Sequence, residues 1–118
     1  LVGSEMCIRD SVGTSQTDMA LASNRLGEVG GGVTVFKNGQ ELALVKLPIA
    51  GLMSDQPAAD VAGHAAKMIE AMVACGCTLN NAYMQHSLLA LVVIPELRIS
   101  DLGLVDVTKF ELTSVLLD

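Results

Sequence analysis

Asn38-Gly39 lies between two stretches rich in aliphatic residues, Val33 to Lys37 and Gln40 to Val45. A two-residue hairpin turn needs positive φ at both central positions, and Asn-Gly tolerates this better than almost any other pair. The chain is therefore expected to fold back on itself here, and the resulting hairpin must find helices to cover it. Upstream, Ser15 precedes Asp18 by three residues, a capping-box-like pair with Asp in place of Glu. Met19, Ala22, Leu26 and Val29 then share one helical stripe. Gly30 suits the left-handed position that ends such a helix, and Gly31 and Gly32 extend the turn. Phosphate loops run from a strand into a helix N-terminus, where free N–H groups face the anion. These glycines leave a helix and enter a strand, so the helix-stop reading is preferred.

Leu47 to Met53 reads as an extended or looped crossover. Ser54 or Asp55 is expected to cap a second helix, with Pro57 in its first turn. Val61, Ala65, Met68, Ile69, Met72 and Val73 form its apolar face, and Gly76 ends it. Met84 to Ile94 suits either a buried strand or a helix; the Val92-Val93-Ile94-Pro95 ending favours a strand. Ser100 to Gly103 is a turn leading to Leu104 through Val107, and Phe110 to Leu117 is expected to be another strand. Val12-Gly13-Thr14 reads as the exit of a strand that begins upstream. The expected fold class is α+β: a mainly antiparallel sheet with two packed helices, an α/β sandwich that forms a partial domain.

A chain of 118 residues with 51% hydrophobic and 17% charged residues can bury one modest core. With no Trp, one Tyr and two Phe, that core is aliphatic and offers few platforms for stacking a base. The net charge of −6 and the scattered Lys and Arg argue against nucleic acid and against an anionic membrane surface. The apolar run from Leu88 to Ile94 is too short to span a bilayer. Three cysteines, two of them in Cys75-Gly76-Cys77, lack a second pair to complete a zinc site. Free thiols in a reducing, cytoplasmic setting are the simpler reading, with a metal or redox role as the alternative.

Chemistry-bearing residues are sparse. Neither a Gly-x-Ser-x-Gly elbow, a P-loop nor His-Glu-x-x-His is present, and no His-x-His pair occurs. His64 is placed on the polar side of the second helix, with Asp60 at i−4 and Lys67 at i+3, a solvated face with a weak ion pair to the carboxylate. His86 opens the apolar run, either as a satisfied strand-end histidine or facing an active site on a neighbouring domain. Cys75 or Cys77 as a nucleophile would need a nearby His, which the local sequence does not supply. Glu96, Asp101, Asp106 and Glu111 are dispersed, with turn and strand-end roles preferred.

Several strings, in order, carry a family resemblance: Val12-Gly13-Thr14, Asp18 through Ala22, Asn24-Arg25-Leu26, Gly30-Gly31-Gly32, Leu47 through Asp55, Gly76-Cys77-Thr78, Val93 through Leu97 and Gly103 through Val107. Together they resemble the C-terminal domain of bacterial-type adenine deaminases, with Val92 a departure where proline is expected. The resemblance implies an amidohydrolase that converts adenine and water to hypoxanthine and ammonia at a two-metal centre of manganese or iron. In that family the centre lies on an upstream barrel. It therefore implies no catalytic or metal residue in this chain, no cofactor of its own, and no activity for the chain alone. The implied partners are the upstream barrel domain, adenine as substrate of the intact protein, and further copies in a homo-oligomer. Met53, Ser54 and Asp55, and likewise Ile94, Pro95 and Glu96, place polar groups beside rigid apolar backbone and are the interface candidates. The alternative is a freestanding small-ligand-binding or oligomerisation domain of the same ancestry.

Residues 1–11 show no periodicity that continues into the first helix, and they resemble the translation of a sequencing-library adapter. They are read as a non-native leader, with Cys7 among them, and the domain as residues 12–118. A native, frayed terminus is the other reading.

Overall fold

The structure, a computed structural model, describes residues 11–88, 91, 93–100 and 102–116. Two compact units divide it, one over Ser11–Tyr83 and the other beginning at Met84.

In the first unit, β1 (Gly32–Lys37) and β2 (Gln40–Lys46) pair antiparallel across the expected turn, where Asn38 has φ 54° and Gly39 φ 77°. Val33 pairs with Val45 and Val35 with Ala43, so four aliphatic side chains share one face of the hairpin. The register shifts between Val35 and Phe36, a bulge that adjusts the strand near the turn. Helix α2 (Ala58–Ala74) lays Met68 and Ala71 on Ala43 and Val45, and these four residues form one buried cluster. Val33, Val35, Leu47, Val61, Met72 and Tyr83 pack around them. Met68 is 0% exposed; burying such a side chain contributes about 1.5–3 kcal/mol. Helix α1 (Gln16–Val29) packs mainly on β1, and none of its residues is fully buried.

The helix ends follow local chemistry. Ser15 caps α1, its Oγ accepting from the Asp18 N–H at 3.2 Å. The Asp18 carboxylate, however, takes the two turn amides, Asn38 N–H at 3.0 Å and Gly39 N–H at 2.8 Å. At the other end Gly30 turns left-handed (φ 82°), and the Gly31 N–H donates to the Leu26 carbonyl at 3.0 Å. Helix α2 closes in a Schellman motif: Gly76 N–H donates to Val73 O at 2.9 Å and Cys77 N–H to Met72 O at 3.1 Å, with Gly76 at φ 91°. The Lys37 ammonium donates to the Ala74 carbonyl at 2.6 Å, adding a positive charge where the helix dipole is negative.

The second unit is a three-stranded antiparallel meander of β3 (Leu97–Ser100), β4 (Gly103–Asp106) and β5 (Glu111–Leu112). Arg98 pairs with Val105, and Val105 with Leu112. Val107, just past β4, is buried and donates its N–H to the Glu96 carbonyl at 2.8 Å. A short helix, α3 (Ala82–Ser87), lies across the unit boundary in sequence.

The fold class is α+β, and the strands among the described residues lie in two antiparallel sheets, of two and of three strands. Four local expectations are corrected. The described part of Met84 to Ile94 is not a strand: it opens in α3 and continues through turns, while residues 89, 90 and 92 lie outside the described residues. Good helix formers (Ala82, Met84, Gln85) begin the segment, and its β-branched residues come only at the end, against Pro95. Phe110 to Leu117 yields only the two-residue β5, because Phe110 is left-handed (φ 56°) and the Ser114 hydroxyl accepts from the Leu116 N–H in a local turn. Val12-Gly13-Thr14 is irregular, not a strand end. Neither Ser54 nor Asp55 caps α2; Pro57 is its N-cap, with no side-chain cap bond, and its carbonyl accepts from Asp60 and Val61.

Candidate functional site

The first interface candidate grows out of the triple-glycine turn. Past β2, the Leu47 N–H donates to the Gly31 carbonyl at 3.1 Å, drawing the crossover onto the turn. A Cβ on Gly31 would stand 2.9 Å from the Gly51 Cα and 3.1 Å from the Leu47 carbonyl oxygen; one on Gly32 would collide with the Val45 carbonyl oxygen. The glycines are there to let backbone approach backbone. Resting on them, Ile49 and Met53 form an isolated antiparallel bridge with reciprocal N–H···O bonds of 3.1 Å, closed through Ala50 (φ 59°) and Gly51 (φ 71°). A left-handed alanine costs about 1–2 kcal/mol, so the surrounding bonds must hold it. Ile49, Leu52 and Met53 are all exposed, at 45%, 42% and 58%. Ser54 is half-buried, its hydroxyl accepting from the Gln56 N–H at 3.2 Å, and Asp55 is exposed.

The second candidate, Ile94-Pro95-Glu96, belongs to the second unit. Ile94 donates its N–H to the Leu91 carbonyl at 3.2 Å; Pro95 and Glu96 are exposed. Arg98 straps this corner, donating to the Pro95 carbonyl at 3.1 Å and the Leu97 carbonyl at 2.6 Å. Sequence reasoning missed that role. The alternation Leu97-Arg98-Ile99-Ser100, a four-residue strand signal, was available to place Arg98 on one sheet face.

The two histidines sit on separate helices. His64 on α2 is half-buried beside an open depression also lined by Gln56, Pro57, Asp60, Gly63 and Lys67. The expected ion pair with Asp60 is absent among the described residues: side chains at i−4 share a face without their charged ends having to meet. His86 lies in the last turn of α3, not at a strand end, and its Nε2 is buried with no hydrogen-bond partner among the described residues. The satisfied histidine expected there is thus corrected. Cys75 is exposed and Cys77 half-buried, both free thiols on the α2 cap. Cys7 and Asp101 lie outside the described residues.

Several other charges hold local structure. Asp106 accepts from the Thr108 hydroxyl and N–H, from the Lys109 N–H at 3.2 Å and from the Lys109 ammonium at 3.2 Å. The Thr108 hydrogen bond, above all, holds this carboxyl below its ordinary range. Glu111 stands 3.9 Å from the same ammonium. Arg25 bridges Glu41 at 2.7 Å and Glu28 at 3.1 Å, and its pKa is raised chiefly by Glu41. Burial pushes the Tyr83 phenol up. Manganese or iron, implied by the resemblance for an intact enzyme, meets no suitable donor set here. Among the described residues no group of three or more His, Cys, Asp or Glu could hold an ion, so the side chains do not fit that group. No helix among the described residues is long and apolar enough to cross a membrane.

A family model described as the adenine deaminase C-terminal domain matches residues 10–111. The adenine deaminase of Ruegeria sp. (strain TM1040) is 77% identical over 100 residues, covering 85% of this chain and 17% of its own length. That of Paracoccus denitrificans is 70% identical over 105 residues, 89% of this chain and 18% of its own. The Moorella thermoacetica adenine deaminase is 46% identical over the same span, with the same coverage. No solved structure matches. The chain thus spans less than a fifth of the length of these relatives. A match over residues 10–111, joined to identities of this size, makes the chain a member of the adenine deaminase C-terminal domain family.

Proposed function

We propose that this chain is the accessory C-terminal domain of an adenine deaminase, a cytoplasmic enzyme of purine salvage. The intact polypeptide would hydrolyse adenine to hypoxanthine and ammonia. Water adds to the ring carbon bearing the amino group, and the C–N bond breaks to release ammonia. Manganese or iron would supply the activated water, held by residues on an upstream barrel and not by side chains of this chain. The supporting observation is the 77% identity to a relative named adenine deaminase, over a segment that is only 17% of its length. The role of this domain would be packing against the barrel or against another subunit of a homo-oligomer; that His64 and His86 lie on separate helices is in keeping with it.

The interface would be carried by Met53, Ser54 and Asp55 in the first unit and by Ile94, Pro95 and Glu96 in the second. Residues 1–11 would be a foreign leader, with the domain proper over 12–118. Ammonia release from adenine, with manganese or iron added, tests the main reading. The full-length polypeptide should turn adenine over and the 118-residue chain should match a metal-only blank. Turnover by the short chain, or none by the full-length protein, would overturn it.

A further inference from the structure

Three exposed apolar side chains, Ile49, Leu52 and Met53, belong to one loop whose backbone is closed by its own hydrogen bonds. Its ends are joined by reciprocal hydrogen bonds, the Leu52 N–H turns back to the Ile49 carbonyl at 3.1 Å, and Gly31 packs beneath Gly51. Ala50 is held left-handed within it. The loop combines that conformation with apolar surface presented to water. Preformed apolar protrusions of this kind dock with little ordering cost. Their complement is a concave apolar pocket. The open depression on α2 is not such a socket, being lined by Asp60, His64 and Lys67, so a second copy offers no match there. More than four fifths of the length of each of the three relatives lies outside the matched segment.

We propose that the Ile49–Met53 loop is a preformed apolar knob that seats in an apolar pocket elsewhere in the same full-length polypeptide. The inference rests on the reading of this chain as one domain of a longer enzyme, and it adds Ile49 and Leu52 to the contact while making Gly31 its support.

Cysteine accessibility tests it. Leu52→Cys, Met53→Cys and, as an exposed control on the hairpin, Gln40→Cys would each be placed in the full-length polypeptide and in the 118-residue chain. Maleimide labelling is then followed peptide by peptide by mass spectrometry. Positions 52 and 53 should label about tenfold or more slowly in the full-length protein than in the short chain, with position 40 unchanged. Equal rates at 52 and 53, or equal slowing at 40, would overturn the proposal. So would slowing that arises in the short chain as its concentration rises, which would identify a second copy as the occupant. Ammonia release on the same full-length preparations keeps the two readings apart. Protection without turnover supports the knob and rejects the substrate; turnover without protection does the reverse.

Discussion

Asp18 holds Gly39 by a 2.8 Å hydrogen bond from the turn N–H to its carboxylate, so the first turn of α1 grips the tip of the β1–β2 hairpin. The other carboxylate oxygen takes the Asn38 N–H at 3.0 Å. Asp18→Ala should lower stability by about 1–2 kcal/mol, since two charge-assisted bonds are lost from a half-buried site. Asp18→Asn, which keeps one acceptor, should lose roughly half of that. Urea unfolding followed by circular dichroism measures both, and a midpoint unchanged in Asp18→Ala would contradict the clamp.

This clamp also marks the limit of what the linear chain discloses. The hairpin turn, the cap at Ser15 and the glycine stops of both long helices were legible because each depends on residues within a few positions of one another. The apolar face of α2 was legible only in part: Met68 is buried as expected, but Ile69 and Val73 are exposed, and Ala71, outside the expected face, is buried in their place. Asp18 resembled half of a capping box, and only the tertiary placement of Asn38-Gly39 redirected its carboxylate. The segment from Met84 onward was ambiguous for a physical reason: a short apolar run buries equally well as strand or helix. Around the candidate site, the looped course of Leu47 to Met53 could be read from the sequence. Its dependence on Gly31 could not, because a close backbone approach across twenty residues leaves only a glycine as its trace.

The core of the first unit rests on Met68, fully buried against Ala43 and Val45. Met68→Ala should cost about 2–5 kcal/mol, from lost transfer energy and the cavity left behind. In a unit whose buried cluster has four residues a loss of that size should abolish cooperative thermal unfolding or lower its midpoint steeply. Met68→Leu, near in volume, should cost less than about 1.5 kcal/mol.

Two glycine substitutions should have opposite signs. Gly32 has φ 138° and a neighbouring Val45 carbonyl where a Cβ would go, so Gly32→Ala should destabilise by well over about 1 kcal/mol. Gly63 lies within α2 with open space around it and no positive φ, so Gly63→Ala should stabilise by roughly 0.5–1 kcal/mol. Paired denaturant titrations would decide, and a stabilised Gly32→Ala would refute the close approach.

Asp106 makes stability depend on acid. Its folded pKa is lowered, first by the Thr108 side chain, so its contribution is present above the unfolded carboxylate value of about 3.9. That contribution is lost as pH falls from there through the lower folded value. Thr108→Val should therefore weaken the protein near neutrality and flatten the acid limb of its stability profile. Urea midpoints between about pH 2 and pH 6 would show this, and parallel profiles for the two proteins would exclude it.

A sheet of two strands consists entirely of borders. β1 and β2 each turn one hydrogen-bonding side away from the other, with no third strand among the described residues to receive it. Lys37 and Lys46, the cationic residues that close the two strands, are the kind of guard that keeps such a margin from templating onto a stranger. Neutralising them would expose the hairpin to sticky, strand-by-strand growth, a hazard for anyone concentrating the isolated chain.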